Sequence, residues 1–465
     1  MIFKEDTICA IATAMIDAGI GIIRISGENA LSFASKIYID TKGEHSLLNF
    51  KTHTIHYGFI CDLDENKIDE VMVSVMKAPK TYTREDVVEI NSHGGRVVME
   101  TILNLLIKIG CRLAEPGEFT KRAFLNGRID LTRAEAVMDL IHAQNEFSMK
   151  NSEIQLSGEL FNKIDSIRKE IIYELAFIES AIDDPENYDL DGYNERLTKK
   201  NESWLSKIQK LIDSSNEGMI RKDGINTVII GKPNAGKSSL LNKLAGKERA
   251  IVTDIEGTTR DIIEENIRLD DIILHVIDTA GIRDTDDVIE KIGVEKAVDS
   301  AKSADLILYI IDSTDSDFSH DERINNIIKE NHVIVLLNKN DISDSINVTE
   351  EDIHKKYGND IPVIKTSMVD ETGMDDLKKI IGDMFFDGSI LPKEEMYITN
   401  LRQREALINS EQSLEKVRES LNAFMSEDFL SIDLMNAYSY LGEIIGQEVD
   451  DDLVEEIFSK FCMGK

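Results

Sequence analysis

The sequence predicts a multidomain chain, α/β plus α: an N-terminal α+β domain, then an all-α helical domain interrupted by an inserted α/β unit with a mainly parallel sheet. Three observations predict it. The opening stretch, to about Thr120, alternates strand-like and helix-like patches. Beyond it, and again in the tail, apolar residues recur at helical spacing. Between those helical stretches, from about Gly224, short apolar runs alternate with glycine-bearing loops and helical segments.

The elements follow in chain order. Gly21–Ile25 (GIIRI), Val71–Val75 (VMVSV) and Val87–Ile90 (VVEI) predict strands, and Val97–Ile109 predicts a helix. Leu160, Ile164, Ile167, Ile171, Leu175, Ile178 and Ile182 step by three and four, which predicts one long helix with a single apolar stripe. Asp183–Tyr193 (DDPENYDLDGY) breaks it, and helix resumes around Trp204–Ile212. Thr227–Ile230, Ile272–Ile277, Leu306–Ile311 and Val333–Leu337 are apolar runs bounded by polar residues, as in a sheet covered on both faces. In the tail, Leu407, Leu414 and Leu421 repeat every seven residues, with Val417 and Phe424 between. The division is therefore 1–119, 120–220, 221–386 and 387–465, the second and fourth parts forming one helical domain.

At 465 residues the chain exceeds one ordinary core. A formal charge of -34 argues against an extended, nonspecific grip on nucleic acid, so an RNA partner would be held locally or through a second protein. Cys9, Cys61, Cys111 and Cys462 are scattered, without a zinc or disulfide pattern. The opening MIFKEDT lacks a signal-like apolar region, and no apolar run spans a bilayer. A cytoplasmic location is expected, with no membrane partner.

Gly231–Ser238 reads GKPNAGKS, between a strand and a helix. This is the phosphate-binding P-loop in its proper setting: backbone amides and the helix N-terminus face phosphate oxygens. Lys237 reaches the β- and γ-phosphates and Ser238 ligates Mg²⁺. Asp278–Gly281 (DTAG) follows the next strand, where an Asp can hold Mg²⁺ through water and a glycine amide can sense the γ-phosphate. Asn338–Asp341 (NKND) matches the guanine-reading motif; Asp341 accepts from guanine N1–H and the 2-amino group, which adenine lacks. Thr366 and Ser367 fall where a fifth base-contacting loop belongs. Gly257–Asp261 (GTTRD) holds the switch I position, with Thr259 chosen as the Mg²⁺ ligand and Thr258 alongside. These residues imply GTP rather than ATP. Ile282 stands where Ras-type enzymes have a water-orienting Gln, so another group must serve. Asp284, Asp286, Asp287 and Glu290 are acidic residues in that segment; a solvated loop is the plainer reading of such a run.

These motifs, with DTICAIAT, GIGIIRISG, YTREDVVEINSHGG, PGEFTKRAFLNGRIDLTRAEAVMDLI, TDIEGTTRD and FCMGK, resemble the MnmE (TrmE) family of tRNA modification GTPases over nearly the whole chain. The resemblance implies an N-terminal tetrahydrofolate-binding and dimerising domain, a helical domain and an inserted Ras-like P-loop G domain. It implies a homodimer that works with an MnmG (GidA)-type FAD protein, in a heterocomplex, on the tRNA wobble uridine. There an aminomethyl or carboxymethylaminomethyl group is added at C5 from 5,10-methylenetetrahydrofolate, for which 5-formyltetrahydrofolate is an analogue.

Residue by residue, it implies GTP contacts at Asn234, Ala235, Gly236, Lys237, Ser238 and Ser239. Further contacts are implied at Thr253, Asp254, Ile255, Glu256, Gly257, Thr258 and Thr259, then at Asp278, Thr279, Ala280 and Gly281, and at Asn338, Lys339 and Asp341. K⁺ would be held by Asn234, Thr253, Ile255 and Thr258, and its charge would stand in for an arginine finger. Glu290 becomes the catalytic carboxylate that orients water. Folate contacts fall on Arg24, Glu89, Arg128 and Lys465, and Cys462 becomes a thiol required for modification. An ordinary ion pair is the other reading of Arg24 and Glu89, and a packed thiol that of Cys462. His93 is assigned to loop structure or a contact rather than catalysis.

The sequence departs from the family in four places. ATAMIDAGIGI lacks the usual proline, Arg84 stands for glycine, Arg128 for lysine, and Met463 for isoleucine. The competing readings are an Era-like RNA-associated GTPase switch without modification activity, and a folate-binding regulator whose GTPase is a timer.

Overall fold

The computed structural model describes residues 6–45, 47–184, 192–247, 264–269, 272–277, 304–315, 327–328, 331–342, 346–370, 372–386, 395–449 and 451–464. The chain divides into two compact units, one of residues 1–138, 155–204 and 409–465, the other of 139–154 and 205–408.

The first unit opens with β1 (Ile8–Ile11), β2 (Ala18–Ser26), helix α1 (Ala30–Ile37), β3 (Tyr38–Asp40), β4 (Thr54–Cys61), β5 (Lys67–Met76), β6 (Val87–Gly94), α2 (Arg96–Ile109) and β7 (Arg112–Leu113). The sheet order is β3-β4-β5-β6-β2-β1-β7. Its pairings are antiparallel except β1 with β7. Period-two patterning explains its sidedness: Val71, Val73 and Val75 are buried, whereas Met72 is exposed. Ile23, Ile25, Val88 and Ile90 join that core with Ala30, Ala34, Met99, Ile102 and Leu106 from α1 and α2.

Helices follow: α3 (Glu118–Leu125), α4 (Leu131–Ile141), α5 (Glu146–Leu156), α6 (Glu159–Asp183) and α7 (Tyr193–Asp223). On α6 the predicted stripe from Leu160 to Ile178 is buried, but Ile182 is 42% exposed in the last turn. The stripe also carries buried Arg168 and Glu174, which periodicity does not reveal. Each is paired: Arg168 with Glu448 at 3.1 Å, Glu174 with Lys200 at 2.6 Å and Arg196 at 3.3 Å. Trp204 of α7 is fully buried and donates from Nε1 to Glu170 Oε2 at 2.7 Å.

The second sheet runs β13-β12-β11-β8-β10-β9. Its strands are β8 (Ile225–Gly231), β9 (Glu264–Leu269), β10 (Ile272–Ile277), β11 (Leu306–Asp312), β12 (Val333–Asn338) and β13 (Val363–Lys365). All neighbours are parallel except β9 with β10. Helices α8 (Lys237–Lys247), α9 (Glu350–Tyr357) and α10 (Met374–Phe385) belong to this unit. The sheet is buried on both faces: Ile229, Leu308, Ile310 and Leu336 pack with Leu240 and Leu377, while Val228, Tyr309, Ile311 and Val335 pack with Ile353 and Tyr357.

The tail forms α11 (Leu401–Asn422), α12 (Glu427–Ile445) and α13 (Asp451–Ser459). Leu407, Leu414, Val417 and Leu421 are buried as the seven-residue repeat predicts. Phe424 differs: α11 has ended, its φ is 51°, and it is 82% exposed. Val454 and Phe458 of α13, with Phe461, pack against Leu131 and Ala134 of α4.

Candidate functional site

The parallel strands set the nucleotide region. In a doubly covered α/β sheet, ligands bind beyond the carboxyl ends of the strands. Here register places Ile310 beside Gly231 and Asp312 beside Asn338, so β8, β11 and β12 end side by side. The loop 232–236 leaves β8 and enters α8, whose first residues are Lys237, Ser238 and Ser239. Lys237 Nζ donates to the carbonyls of Gly231 at 2.7 Å and Lys232 at 2.8 Å, and burial pulls its ammonium below the ordinary lysine range. The ammonium is thereby held against the start of the loop. Asn234 has φ 59° and an exposed side chain; Ser238 and Ser239 are exposed.

The guanine-reading loop is tied to the phosphate loop. Asn338 Nδ2 donates to the Ala235 carbonyl at 2.8 Å, and both residues are buried. Gly236 has φ 107°, and a Cβ there would lie 2.1 Å from Asn338 Nδ2, so only glycine allows this approach. Asn340 N–H donates to the Thr366 carbonyl at 3.2 Å, bringing in the fifth loop; Thr366 and Ser367 are buried. Asp341 is exposed at the loop's end. Asn338 Oδ1, Thr366 Oγ1 and Ser313 Oγ are buried polar atoms without a hydrogen-bond partner among the described residues. Three such atoms at adjacent strand ends suit a polar ligand that completes them.

Sequence motifs missed Asp312 and its turn. Asp312 Oδ2 accepts from Lys339 Nζ at 2.6 Å, and Oδ1 accepts from Thr314 N at 2.9 Å and Thr314 Oγ1 at 2.7 Å. Burial alone would raise its pKa, but Lys339 and Thr314 hold the carboxyl below the usual range. Lys232 reaches Asp315 Oδ2 at 3.2 Å. The available signal was position: Asp312 ends the run LILYIID at the ligand-facing edge.

Thr253, Asp254, Ile255, Glu256, Gly257, Thr258, Thr259, Asp278, Thr279, Ala280, Gly281 and Glu290 lie outside the described residues, as does Lys465. Of the residues expected to hold Mg²⁺ and K⁺, only Ser238 and Asn234 are thus among the described residues. Their exposed oxygens, which carry no hydrogen bond among the described residues, are hard donors of the kind either cation takes.

In the first unit, Arg24 and Glu89 are direct partners across β2 and β6, joined Nε to Oε1 at 2.8 Å. Arg24 Nη1 also donates to the Gly464 carbonyl at 3.1 Å, and its guanidinium lies 5.6 Å from the Phe119 ring centroid. Gly464 has φ 84°, and a Cβ there would meet Ile11 O at 2.5 Å. Gly117 N–H donates to the Cys462 carbonyl at 3.3 Å, so residues 462–464 lie against the N-terminal sheet. Cys462 is exposed; Cys9, Cys61 and Cys111 are buried. Arg128 is exposed and sits 4.8 Å from the Tyr82 ring centroid, and Tyr82 packs on the cluster that contains Phe119. Arg84, at φ 60°, donates to the Asn126 carbonyl at 2.7 Å, joining the loop of Tyr82 to that of Arg128. Glu89 Oε2 and Arg24 Nη2 carry no hydrogen bond among the described residues, and of the two rings Tyr82 is half-buried while Phe119 is fully buried. This donor set fits a pterin edge with an acidic tail. His93 lies on strand β6, not in a loop, and its ring Nδ1 is 2.7 Å from Asp69 Oδ1. That carboxylate raises the His93 pKa.

A strand, a phosphate-cradling loop and a helix, tied to an Asn-Lys-x-Asp loop at the next strand ends, define a P-loop GTPase unit. The wider chain is equally distinctive. The profile described as GTP-binding protein TrmE N-terminus matches residues 7–128, and that of the MnmE helical domain matches residues 131–462. A protein of Lachnoclostridium phytofermentans named tRNA modification GTPase MnmE is 51% identical over 462 residues, covering 99% of this chain and 100% of the relative. Proteins of the same name from Acetivibrio thermocellus and Clostridioides difficile are each 46% identical, with 100% of both chains covered. The chain belongs to the MnmE (TrmE) family of tRNA modification GTPases. Among the described residues, no helix is long and apolar enough to cross a membrane.

Proposed function

We propose that this protein is a K⁺-dependent GTPase acting in the cytoplasm as a homodimer. With an MnmG-type FAD partner it adds an aminomethyl or carboxymethylaminomethyl group to C5 of the tRNA wobble uridine, using a tetrahydrofolate one-carbon unit. Residues 1–119 serve as the folate-binding, dimerising domain, 221–386 as the G domain, and 120–220 with 387–465 as the helical domain. The observation that carries the nucleotide part is the bond from Asn338 to Ala235, which makes base reading and phosphate binding one surface.

In this reading Lys237 and the amides of 234–239 bind the phosphates, and Asp341 selects guanine. Mg²⁺ would be held by Ser238 and Thr259, and K⁺ by Asn234, Thr253, Ile255 and Thr258, supplying positive charge at the β–γ bridge. Glu290 orients the attacking water in place of the Gln that Ile282 displaces. Thr279, Ala280 and Gly281 follow Asp278 around the γ-phosphate. In the N-terminal unit Glu89 meets the pterin amidine edge, Arg24 fixes Glu89, and Arg128 and Lys465 meet the acidic tail. Cys462 acts in modification, not in hydrolysis. Full-length matches across both flanking regions favour this over an Era-like switch.

GTP hydrolysis in K⁺ and in Na⁺ at equal ionic strength tests the mechanism, with Glu290→Ala alongside. Strong K⁺ stimulation that disappears in the variant is expected; equal rates in both salts would refute it. Mass spectrometry of tRNA nucleosides, with partner and folate present, tests the modification. Cys462→Ser should abolish product while sparing hydrolysis.

A further inference from the structure

The end of β11 and the turn after it belong to none of the nucleotide motifs, yet together they bind a lysine from each of two of them. We infer that Asp312 is a positioning residue for the nucleotide: it fixes Lys339, and through Lys339 the guanine-reading loop. The inference rests on the guanine-nucleotide reading proposed above and goes beyond it.

Lys339 has φ 63°, a left-handed conformation that a lysine adopts only with support. Its ammonium finds that support in Asp312 Oδ2 at 2.6 Å. An aspartate at the end of a parallel strand in a nucleotide sheet would ordinarily be read as a metal ligand. Here both carboxylate oxygens are committed within the protein, one to Lys339 and the other to Thr314. The turn itself is anchored: Ser313 N–H donates to the Asn338 carbonyl at 2.9 Å, and Asn347 Nδ2 donates to the Thr314 carbonyl at 2.7 Å. Asp312 is thus a fixed post for a lysine that would otherwise leave its strained backbone. Asp315 provides an internal comparison. Its contact to Lys232 is longer, 3.2 Å, and its side chain is 35% exposed, so it should matter less.

The test is calorimetric titration of GDP into the full chain, as wild type, Asp312→Asn, Asp312→Glu, Lys339→Ala and the Asp312→Asn/Lys339→Ala pair. GTP hydrolysis supplies KM and kcat. Asp312→Asn should weaken GDP on the order of tenfold and raise KM in proportion, with kcat at saturation unchanged. The double variant should bind no more weakly than Lys339→Ala alone, because the two residues act as one. Asp312→Glu, which keeps the charge, should retain most of the affinity, and Asp315→Asn should lose less than Asp312→Asn. Wild-type affinity in Asp312→Asn, multiplying effects in the pair, or equal losses in the Asn and Glu variants would each overturn the role. If wild type itself did not bind GDP, the nucleotide reading would fall and this inference with it. GDP binding by wild type with an indifferent Asp312→Asn would remove the inference alone.

Discussion

Replacing Gly236 with alanine addresses the junction on which the nucleotide reading depends. The new Cβ would stand 2.1 Å from Asn338 Nδ2, so Asn338 must move and its 2.8 Å bond to the Ala235 carbonyl must break. Two costs combine. A non-glycine residue held at φ 107° is strained by about 1–3 kcal/mol. A buried amide and carbonyl left without each other cost about 1–3 kcal/mol more. Together these are roughly 2–6 kcal/mol; at about 1.4 kcal/mol per decade, GDP affinity should fall by between about 30-fold and 10⁴-fold if the bound state bears them. Calorimetric titration of GDP measures that loss. Urea unfolding shows how much of it falls on the apoprotein instead. A variant with wild-type affinity and stability would refute the reasoning, since it would mean the Asn338 bond contributes to neither.

Three further outcomes are expected. In the first unit Arg122 pairs with Asp6 at 2.7 Å, Glu118 at 3.0 Å and Glu85 at 3.1 Å while only 5% exposed, so Arg122→Met should cost about 3–5 kcal/mol in urea unfolding. Burial would raise the pKa of Asp6 and Glu118, but Arg112 and Arg122 outweigh it and depress both; their contribution is therefore present above the ordinary carboxylate range and lost as pH falls through the depressed folded values. The unfolding midpoint should drop there, and Glu118→Gln should flatten that dependence. The chain has one tryptophan, Trp204, so Glu170→Leu can be followed by its fluorescence; leaving the buried indole N–H unpaired should destabilise the helices by about 1–3 kcal/mol, and an unshifted midpoint would count against the bond.

Much of the fold was legible because its signals are local. Apolar runs such as Leu306–Ile311 became central strands, and the Leu160–Ile178 stripe became the buried side of α6. The phosphate loop was legible because glycine spacing and strand–helix context occur together. Long-range pairing was not legible. Arg168 and Glu174 on the α6 core side make sense only with Glu448 and Lys200, from distant segments. The same holds for Asp312, whose partner Lys339 lies 27 residues on, and for His93, whose carboxylate comes from a neighbouring strand. Phe424 shows the opposite limit: a heptad count does not know where a helix stops.

The contact between Arg24 and the Gly464 carbonyl spans 440 residues. At a synthesis rate of about 5–20 residues per second, roughly 20–90 s pass on the ribosome between making the first residue and making the second. Throughout that interval the N-terminal sheet can pair its strands, and the nucleotide unit can be made and fold, but residues 462–464 are not yet there to lie along Ile11 and Gly117. A nascent chain stalled after the nucleotide unit could therefore bind GTP while the face that residues 462–464 complete was still unfinished. Completion of that face is a record that translation has passed residue 464.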